Sequence, residues 1–583
     1  MPTLEWIGKD KVVNHHLEVP FRVLERKYSF DENGQHDEDN GSENMIIRGD
    51  NLEALKALLP RYEGRVKCIY IDPPYNTGNE GWVYNDNVND PKIKKWLGEV
   101  VGKEGEDLTR HDKWLCMMYP RLKLLQKLLA DDGVIFISID DTEYANLKLI
   151  CDEIFGSNCF VSNISWQRTY STRNDSKGIV NEVEHLVVYS KLPDWNPNKL
   201  PRTAEMDAKY KNPDNDIMPW TSSDAFAPGA ATHQGMVYAI QHPFTGKLLY
   251  PYNGACWRYQ QDAMLEYMSG WTKYELREID DAEKRAEICG VSEKEIRSGV
   301  MGILLADTLD IAKENASKIL RRGQWPRFYF TNGGKGGIRR KTYIDSVEGK
   351  PPTNYWPYAD VGHTDEAAKI VKAIFGGKAT FDTPKPPRLI ERILQIAGDN
   401  NTLILDSFAG SGTTAHAVLN MNKADGGHRK FILVEMMDYA DSITAERVKR
   451  VSRGYGEGKN AVEGTGGNFS FYDLGEPLMI GDVLNENVGI EKIREYVYFT
   501  DTKASLPESH PDEPYFMGVH IGSAYYFYYE KQAVTTLNRE FLHTVKTKAD
   551  SYVIYADLCT LSEAELEKYH ITFKKIPRDI TKL

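Results

Sequence analysis

No apolar run in this chain approaches the ~18–20 residues that a membrane-spanning helix needs. The first ten residues, Met1–Asp10, are mixed and polar, without the apolar core of a signal peptide. A cytoplasmic chain with no membrane partner is expected. The 7 cysteines are scattered and none forms a C-x-x-C pair, which argues against a zinc ribbon and against a disulfide framework. The adjacent His15-His16 have no carboxylate or cysteine companion at metal spacing, so no metal site is expected. Internal repeats and long low-complexity tracts are absent. An excess of basic residues is also absent, since the formal net charge is -13. That balance speaks only weakly against nucleic acid, because binding needs no more than a local basic face.

What is present is a soluble, globular composition, 41% hydrophobic and 27% charged. A length of 583 residues exceeds one ordinary core and implies roughly two to four domains. Residues 1–44 read as an arm whose segment Asp31–Glu43 is acidic and linker-like. Regular patterning begins with the short apolar run Met45–Ile47 and the helical spacing of Leu52, Leu55, Leu58 and Leu59. Val66–Ile71 is a buried-strand pattern, Trp114–Ala130 an amphipathic helix, Val134–Ile139 a second strand and Leu147–Phe155 a helix. Strands alternating with helices predict a parallel α/β sheet. From about 190 to 350 that alternation is lost, and Pro, Gly, Tyr and Trp become frequent. Within this stretch Asp280–Arg322 reads as charged helix. The alternation resumes with a helix at Leu389–Ala397, a strand at Thr402–Leu405, a helix at Thr414–Met421 and a strand at Phe431–Val434. Beyond about 456, a strand at Tyr552–Tyr555, a helix at Ser562–Lys568 and a strand at Ile571–Lys574 predict a small further domain.

Two motifs carry chemistry. Asp72-Pro73-Pro74-Tyr75 stops the strand Val66–Ile71, and catalytic groups of open α/β sheets lie at the carboxyl ends of strands. The motif suits an exocyclic amine, whose lone pair is delocalised into a ring. A carboxylate from Asp72 and the carbonyl of Pro73, held rigidly by its ring, can accept the two amine hydrogens and draw the nitrogen toward tetrahedral geometry. Tyr75 offers a flat face for a base taken out of its duplex. The second motif, Asp406-Ser407-Phe408-Ala409-Gly410-Ser411-Gly412-Thr413-Thr414, follows a strand and opens a helix. Its glycines permit a tight turn and close approach to a ligand. It lacks the full G-x-G-x-x-G spacing and a Walker lysine, which argues against dinucleotides and nucleoside triphosphates. Glu435, about 20 residues on at the next strand end, suits a ribose diol. A third segment, Gly333–Lys341, combines glycines with Lys335, Arg339, Arg340 and Lys341 and is a candidate phosphate contact. Trp257, Trp271, Trp325, Tyr329 and Tyr343 read as core aromatics.

The Asp-Pro-Pro-Tyr and Phe-x-Gly-x-Gly pair resembles DNA amino-methyltransferases, with the catalytic motif first, as in the permuted β-class order. Asp72–Asn79 (DPPYNTGN), Gly8–Pro20 (GKDKVVNHHLEVP), Gly133–Asp141 (GVIFISIDD) and Thr383–Pro387 (TPKPP) are similar to type III restriction-system modification (Mod) subunits. The resemblance covers most of residues 1–455 and is diffuse in the 190–350 stretch and the tail.

It implies a Rossmann-like α/β methyltransferase fold of permuted motif order, split into a catalytic half at 45–190 and a cofactor half at 351–455. A target-recognition domain at 191–350 is inserted between them, and a small α+β domain at 456–583 serves dimerisation and partner binding. It implies S-adenosyl-L-methionine as cofactor and double-stranded DNA as substrate, with base flipping and methylation of adenine N6. The implied partners are a second copy of the chain and a helicase-nuclease restriction subunit. Asp72, Pro73, Pro74 and Tyr75 match the catalytic motif. Asp406, Phe408, Ala409, Gly410, Ser411, Gly412, Thr413 and Glu435 match the cofactor loop and its ribose acid. Asp50 resembles an acid on the cofactor's adenine amine, although it also suits a helix cap. Thr383 and Lys385 resemble a segment near the cofactor's methionine carboxylate. Three alternatives stay open: cytosine-N4 methylation, a solitary methyltransferase, and an inactive DNA-specificity subunit. Cytosine-C5 methylation is disfavoured, because it needs a nucleophilic cysteine and no Pro-Cys pair occurs.

Overall fold

The structure is a computed structural model that describes residues 3–77, 110–171, 179–346, 348–508 and 512–578. Gly78 and Asn79, at the end of the resemblance quoted above, lie outside the described residues. The chain divides into two compact units, one of residues 1–198 with 351–583 and one of residues 199–350.

The larger unit is built on an eleven-stranded sheet. Its strands in chain order are β1 (Arg22–Asp31), β2 (Gly34–His36), β3 (Met45–Arg48), β4 (Val66–Ile71), β5 (Leu129–Ile139), β6 (Phe160–Gln167), β7 (Val183–Ser190), β8 (Tyr355–Trp356), β9 (Leu403–Asp406), β10 (Lys430–Glu435) and β11 (Phe469–Pro477). Their spatial order is β8-β6-β7-β5-β4-β9-β10-β3-β11-β1-β2. From β5 through β11 neighbours run parallel, whereas β7 is antiparallel to both β5 and β6. The central strands are apolar on both faces: the adjacent pairs Ile135 and Phe136, Ile404 and Leu405, and Phe431 and Ile432 are all fully buried, as expected of parallel strands covered by helices. Each such side chain contributes on the order of 1.5–3 kcal/mol.

The main helices beside the sheet are α1 (Asn51–Tyr62), α2 (Arg110–Leu128), α3 (Tyr144–Phe155), α4 (Pro387–Ala397), α5 (Thr413–Asp425) and α6 (Glu446–Arg453). After β4 the chain passes through α2 to β5 on one side. After β9 it passes through α5 to β10 on the other. The connections therefore diverge between the adjacent strands β4 and β9. Such a switch point opens a crevice at the carboxyl ends of the strands.

Residues 1–44 do not form a separate arm. The turns Lys9–Val12 and His15–Glu18 pack on α2, and β1 pairs along β11 from Arg22 to Phe30. His15 and His16 lie on the second of these turns, and His16 is buried. Beyond β11 the tail forms a four-stranded sheet in the order Phe516–His520, Ser523–Phe527, Ser551–Ala556, Ile571–Lys575, the last three parallel.

The unit 199–350 holds small sheets of four, two and three strands around an aromatic core that includes Trp257, Trp271, Phe328 and Tyr329, with Trp325 and Tyr343 packed against it. The charged stretch Asp280–Arg322 is not one helix. It breaks into helices Ala282–Cys289 and Leu309–Arg322 around the strand Gly302–Leu305. Gly290 and Gly299 take positive φ there, and the apolar run between the helices has no helical spacing.

Candidate active site

β4 delivers Asp72 to the crevice, and Pro73-Pro74 end the strand because neither can donate to the ladder. The loop beyond is bolted in place. The Trp114 indole N–H donates to the Pro74 carbonyl at 2.7 Å. Asn76, in the left-handed region at φ 60°, donates to the buried Glu143 and to the Arg110 carbonyl. Glu143 also meets His111 at 2.6 Å.

At the centre lies a cluster of two carboxylates, two cations and a phenol. The Lys385 ammonium donates to both oxygens of Asp72 at 2.8 Å and to the Tyr75 hydroxyl at 2.9 Å, and it lies 3.6 Å from Glu184 Oε2. The Tyr75 hydroxyl is 2.9 Å from Asp72 Oδ1 and 3.1 Å from Glu184 Oε2. Arg168 donates to Glu184 Oε1 at 2.9 Å. Burial pushes the Asp72 carboxyl above its ordinary range, against the pull of Lys385. Burial works to raise Glu184 as well, but Lys385 and Arg168 outweigh it and hold that carboxyl below the usual range. Burial works to lower Lys385, but Asp72 and Glu184 keep it above the ordinary lysine value. The three groups hold one another in a buried site, where ionic contacts are strong.

The second motif forms the neighbouring wall. β9 pairs with β4 through Ile404–Cys68 and Leu405–Ile69, so the two loops leave the sheet side by side. Asp406 braces its turn at both ends, accepting from the Phe408 N–H at 3.0 Å and the Thr414 hydroxyl at 2.6 Å. Burial raises its carboxyl to about 7. Gly410 and Gly412 lie at φ 53° and 80°, a region that disfavours side chains. A Cβ on Gly412 would sit 3.0 Å from the Thr444 carbonyl. Glu435 accepts the N–H groups of Gly410 at 2.8 Å and Met437 at 2.9 Å. Beneath the turn, Arg447 is fully buried and donates to Ser411 Oγ, Thr413 Oγ1 and His416 Nδ1. Burial lowers it to about 9.

Most residues singled out in the sequence converge at this switch point, but some occupy different roles. Asp50 caps α1, accepting from the Leu52 and Glu53 N–H groups, and also receives Arg121 at 3.2 Å. The Lys385 ammonium donates to Asp72 and to the Tyr75 hydroxyl. Only its carbonyl touches the glycine-rich turn, through Thr413. Thr383, half-buried in the same segment, takes a positive φ of 48°. Tyr75 is 6% exposed, with Lys385 at its hydroxyl, so it is not an open stacking face. The sequence reading missed Glu184, Arg168, Glu143 and Arg447. A lone acid in the apolar strand Val183–Ser190 was the available signal for the first.

In the unit 199–350, Lys341 cannot contact phosphate. Its ammonium is fully buried between Asp214 and Asp216 and also donates to the Trp325 carbonyl, because β pairing with Trp220–Asp224 turns it inward. Arg339 is 38% exposed and tied to Asp224 and Ser222. Arg340 is half-buried and Lys335 is exposed.

A switched parallel α/β sheet with a glycine-rich turn and an Asp-Pro-Pro-Tyr loop on adjacent strands defines a Rossmann-like class of protein. Within that class the chain belongs to the N6/N4 methyltransferase family described as DNA methylase, whose model matches residues 66–499. It is 32% identical over 484 residues to the type III restriction-modification enzyme StyLTI Mod subunit of Salmonella typhimurium, covering 77% of this chain and 62% of that one. It is 29% identical over 485 residues to the EcoP15I Mod subunit of Escherichia coli, covering 78% and 66%. It is also 29% identical over 398 residues to the type II methyltransferase M.KpnI of Klebsiella pneumoniae, covering 68% and 81%. The chain thus spans less than two thirds of the length of the two Mod subunits. Among solved structures, PvuII DNA methyltransferase (cytosine-N4-specific) matches with TM-score 0.31 and 12% identity over 70% of this chain and 86% of that one. The M1.HpyAVI–SAM complex matches with TM-score 0.28 and 13% identity over 69% and 99%.

Proposed function

We propose that this chain methylates adenine N6 at a specific sequence in double-stranded DNA, using S-adenosyl-L-methionine, as the modification subunit of a type III restriction-modification system. The observation that carries the reading is the side-by-side placement of Asp72-Pro73-Pro74-Tyr75 and the Asp406–Thr413 turn at the β4/β9 switch point. The turn suits a nucleoside-bearing cofactor: its glycines take positive-φ conformations that permit a tight turn and close approach to a ligand, and buried acids close both strand ends. Bound there, the cofactor would supply an electrophilic methyl on a sulfonium. Asp72 and the Pro73 carbonyl accept the two hydrogens of the target amine and bring its lone pair to bear. The nitrogen would take the methyl that the bound cofactor supplies, and the Asp72 carboxylate, already hydrogen-bonded to the amine, is placed to accept the proton that the methylated nitrogen loses.

The likeness to Mod subunits supports a separate restriction subunit as partner and a dimer of this chain. The unit 199–350 is proposed to read the target sequence, with Lys335, Arg339 and Arg340 nearest to a phosphate-facing role. Tritiated S-adenosylmethionine, unmethylated bacterial DNA and nucleoside chromatography test the reading. Label in N6-methyladenine supports it; label in N4-methylcytosine, or none with the cofactor bound, overturns it.

A further inference from the structure

The target amine needs Asp72, but Asp72 is already occupied. A carboxylate offers about four lone-pair sites; Lys385 takes one on each oxygen, and the Tyr75 hydroxyl lies within reach of a third. The ammonium also neutralises the charge that should polarise the amine, and it holds the Tyr75 hydroxyl. For a base to enter, Lys385 has to give way without leaving a buried cation unpaired, which is costly.

Glu184 provides the alternative. Its Oε2 lies 3.6 Å from the ammonium and 3.1 Å from the Tyr75 hydroxyl. A phenol has one proton, so Tyr75 donates to Asp72 or to Glu184, never to both at once. Both donors that occupy Asp72 therefore have the same second acceptor. Glu184 itself is fixed by Arg168 and by its place on β7.

We propose that Glu184 is a positioning residue that takes over the Lys385 ammonium and the Tyr75 hydroxyl proton when the target base arrives, freeing Asp72 for the amine. The inference rests on the methyl-transfer reading above. Glu184→Gln leaves the ammonium on Asp72, in competition with the base. The turnover rate of Glu184→Gln on unmethylated bacterial DNA should fall about tenfold or more, with cofactor affinity within about twofold of the parent. In a Lys385→Met background the competitor is gone, and adding Glu184→Gln should change the rate by less than about twofold. An equal fall in both backgrounds, or an unchanged rate for Glu184→Gln alone, overturns the proposal. The same four proteins compared by thermal melting, without cofactor or DNA, give a readout independent of activity. The paired substitutions should cost less than the sum of the single ones, and strict additivity would refute the shared ammonium. Failure of the unsubstituted protein to methylate any DNA counts against the methyl-transfer reading, while the melting comparison still decides the pairing of Glu184 with Lys385.

Discussion

The Thr413 hydroxyl donates to the Lys385 carbonyl at 3.2 Å. It ties the first turn of α5, behind the glycine-rich loop, to the lysine whose ammonium holds Asp72. The two halves of the site, far apart in the chain, are thus joined by one side chain. The glycine-rich turn and the Asp72 carboxylate have a direct physical route to each other through Lys385.

Asp72→Ala removes the acceptor for the amine and leaves the Lys385 ammonium to Glu184 and Tyr75. Methyl transfer should fall by at least about a hundredfold, the scale of losing a positioned proton-accepting group. Cofactor and DNA binding should persist, as read by calorimetry and gel shift. Turnover near the unsubstituted rate would remove Asp72 from the mechanism.

Trp114→Phe keeps the ring in the core and deletes the donor to the Pro74 carbonyl. The expected stability cost is about 1–3 kcal/mol for a buried carbonyl left unpaired. Turnover should drop while cofactor affinity holds, because the loop that carries Asp72 loses its anchor. Denaturant unfolding and steady-state kinetics check both halves. A loss confined to cofactor binding would contradict this placement.

The Asp406 carboxyl stays protonated in the folded protein up to about 7, while in the unfolded chain it ionises near its ordinary value. Between those limits the folded state holds more protons, so this group makes stability decline as pH rises through that window and has no further effect above it. The difference in melting temperature between the unsubstituted protein and Asp406→Asn should therefore shrink from pH 4.5 to 7 and then level. A difference that grows with pH over this range would reverse the assigned sign.

Lys341→Met leaves the buried Asp214 and the partly buried Asp216 without their cation and should destabilise the protein by about 3–5 kcal/mol. Lys335→Ala should leave stability unchanged and reduce the salt slope of DNA binding by about one counterion. Arg339→Ala with Arg340→Ala should weaken DNA binding and flatten that slope further. Salt slopes identical to the unsubstituted protein in both variants would take this strand and its turn out of the DNA interface.

The central sheet was legible where burial is two-sided. Val66–Ile71 and Phe431–Val434 read as continuous apolar runs, which is how a covered parallel strand must look. β1 was not legible, because Arg22–Asp31 mixes charge with aromatics and its partner β11 lies at the far end of the chain. Asp72 and the glycine-rich turn could be read from local chemistry. Glu184 and Arg168 could not, since the fold alone brings them to Lys385 and Tyr75. Lys341 was misread for the same reason: a run of cations does not disclose that Asp214 and Asp216 wait beneath one of them.

The most direct measurement is single-molecule sequencing of DNA from methylation-free cells that express either this protein or its Asp72→Ala variant. N6-methyladenine at one recurring sequence with the unsubstituted protein, and none with the variant, is the expected result. Modification on one strand of an asymmetric site would add support for the type III assignment. N4-methylcytosine instead, or adenine methylation that survives Asp72→Ala, would contradict the central claim.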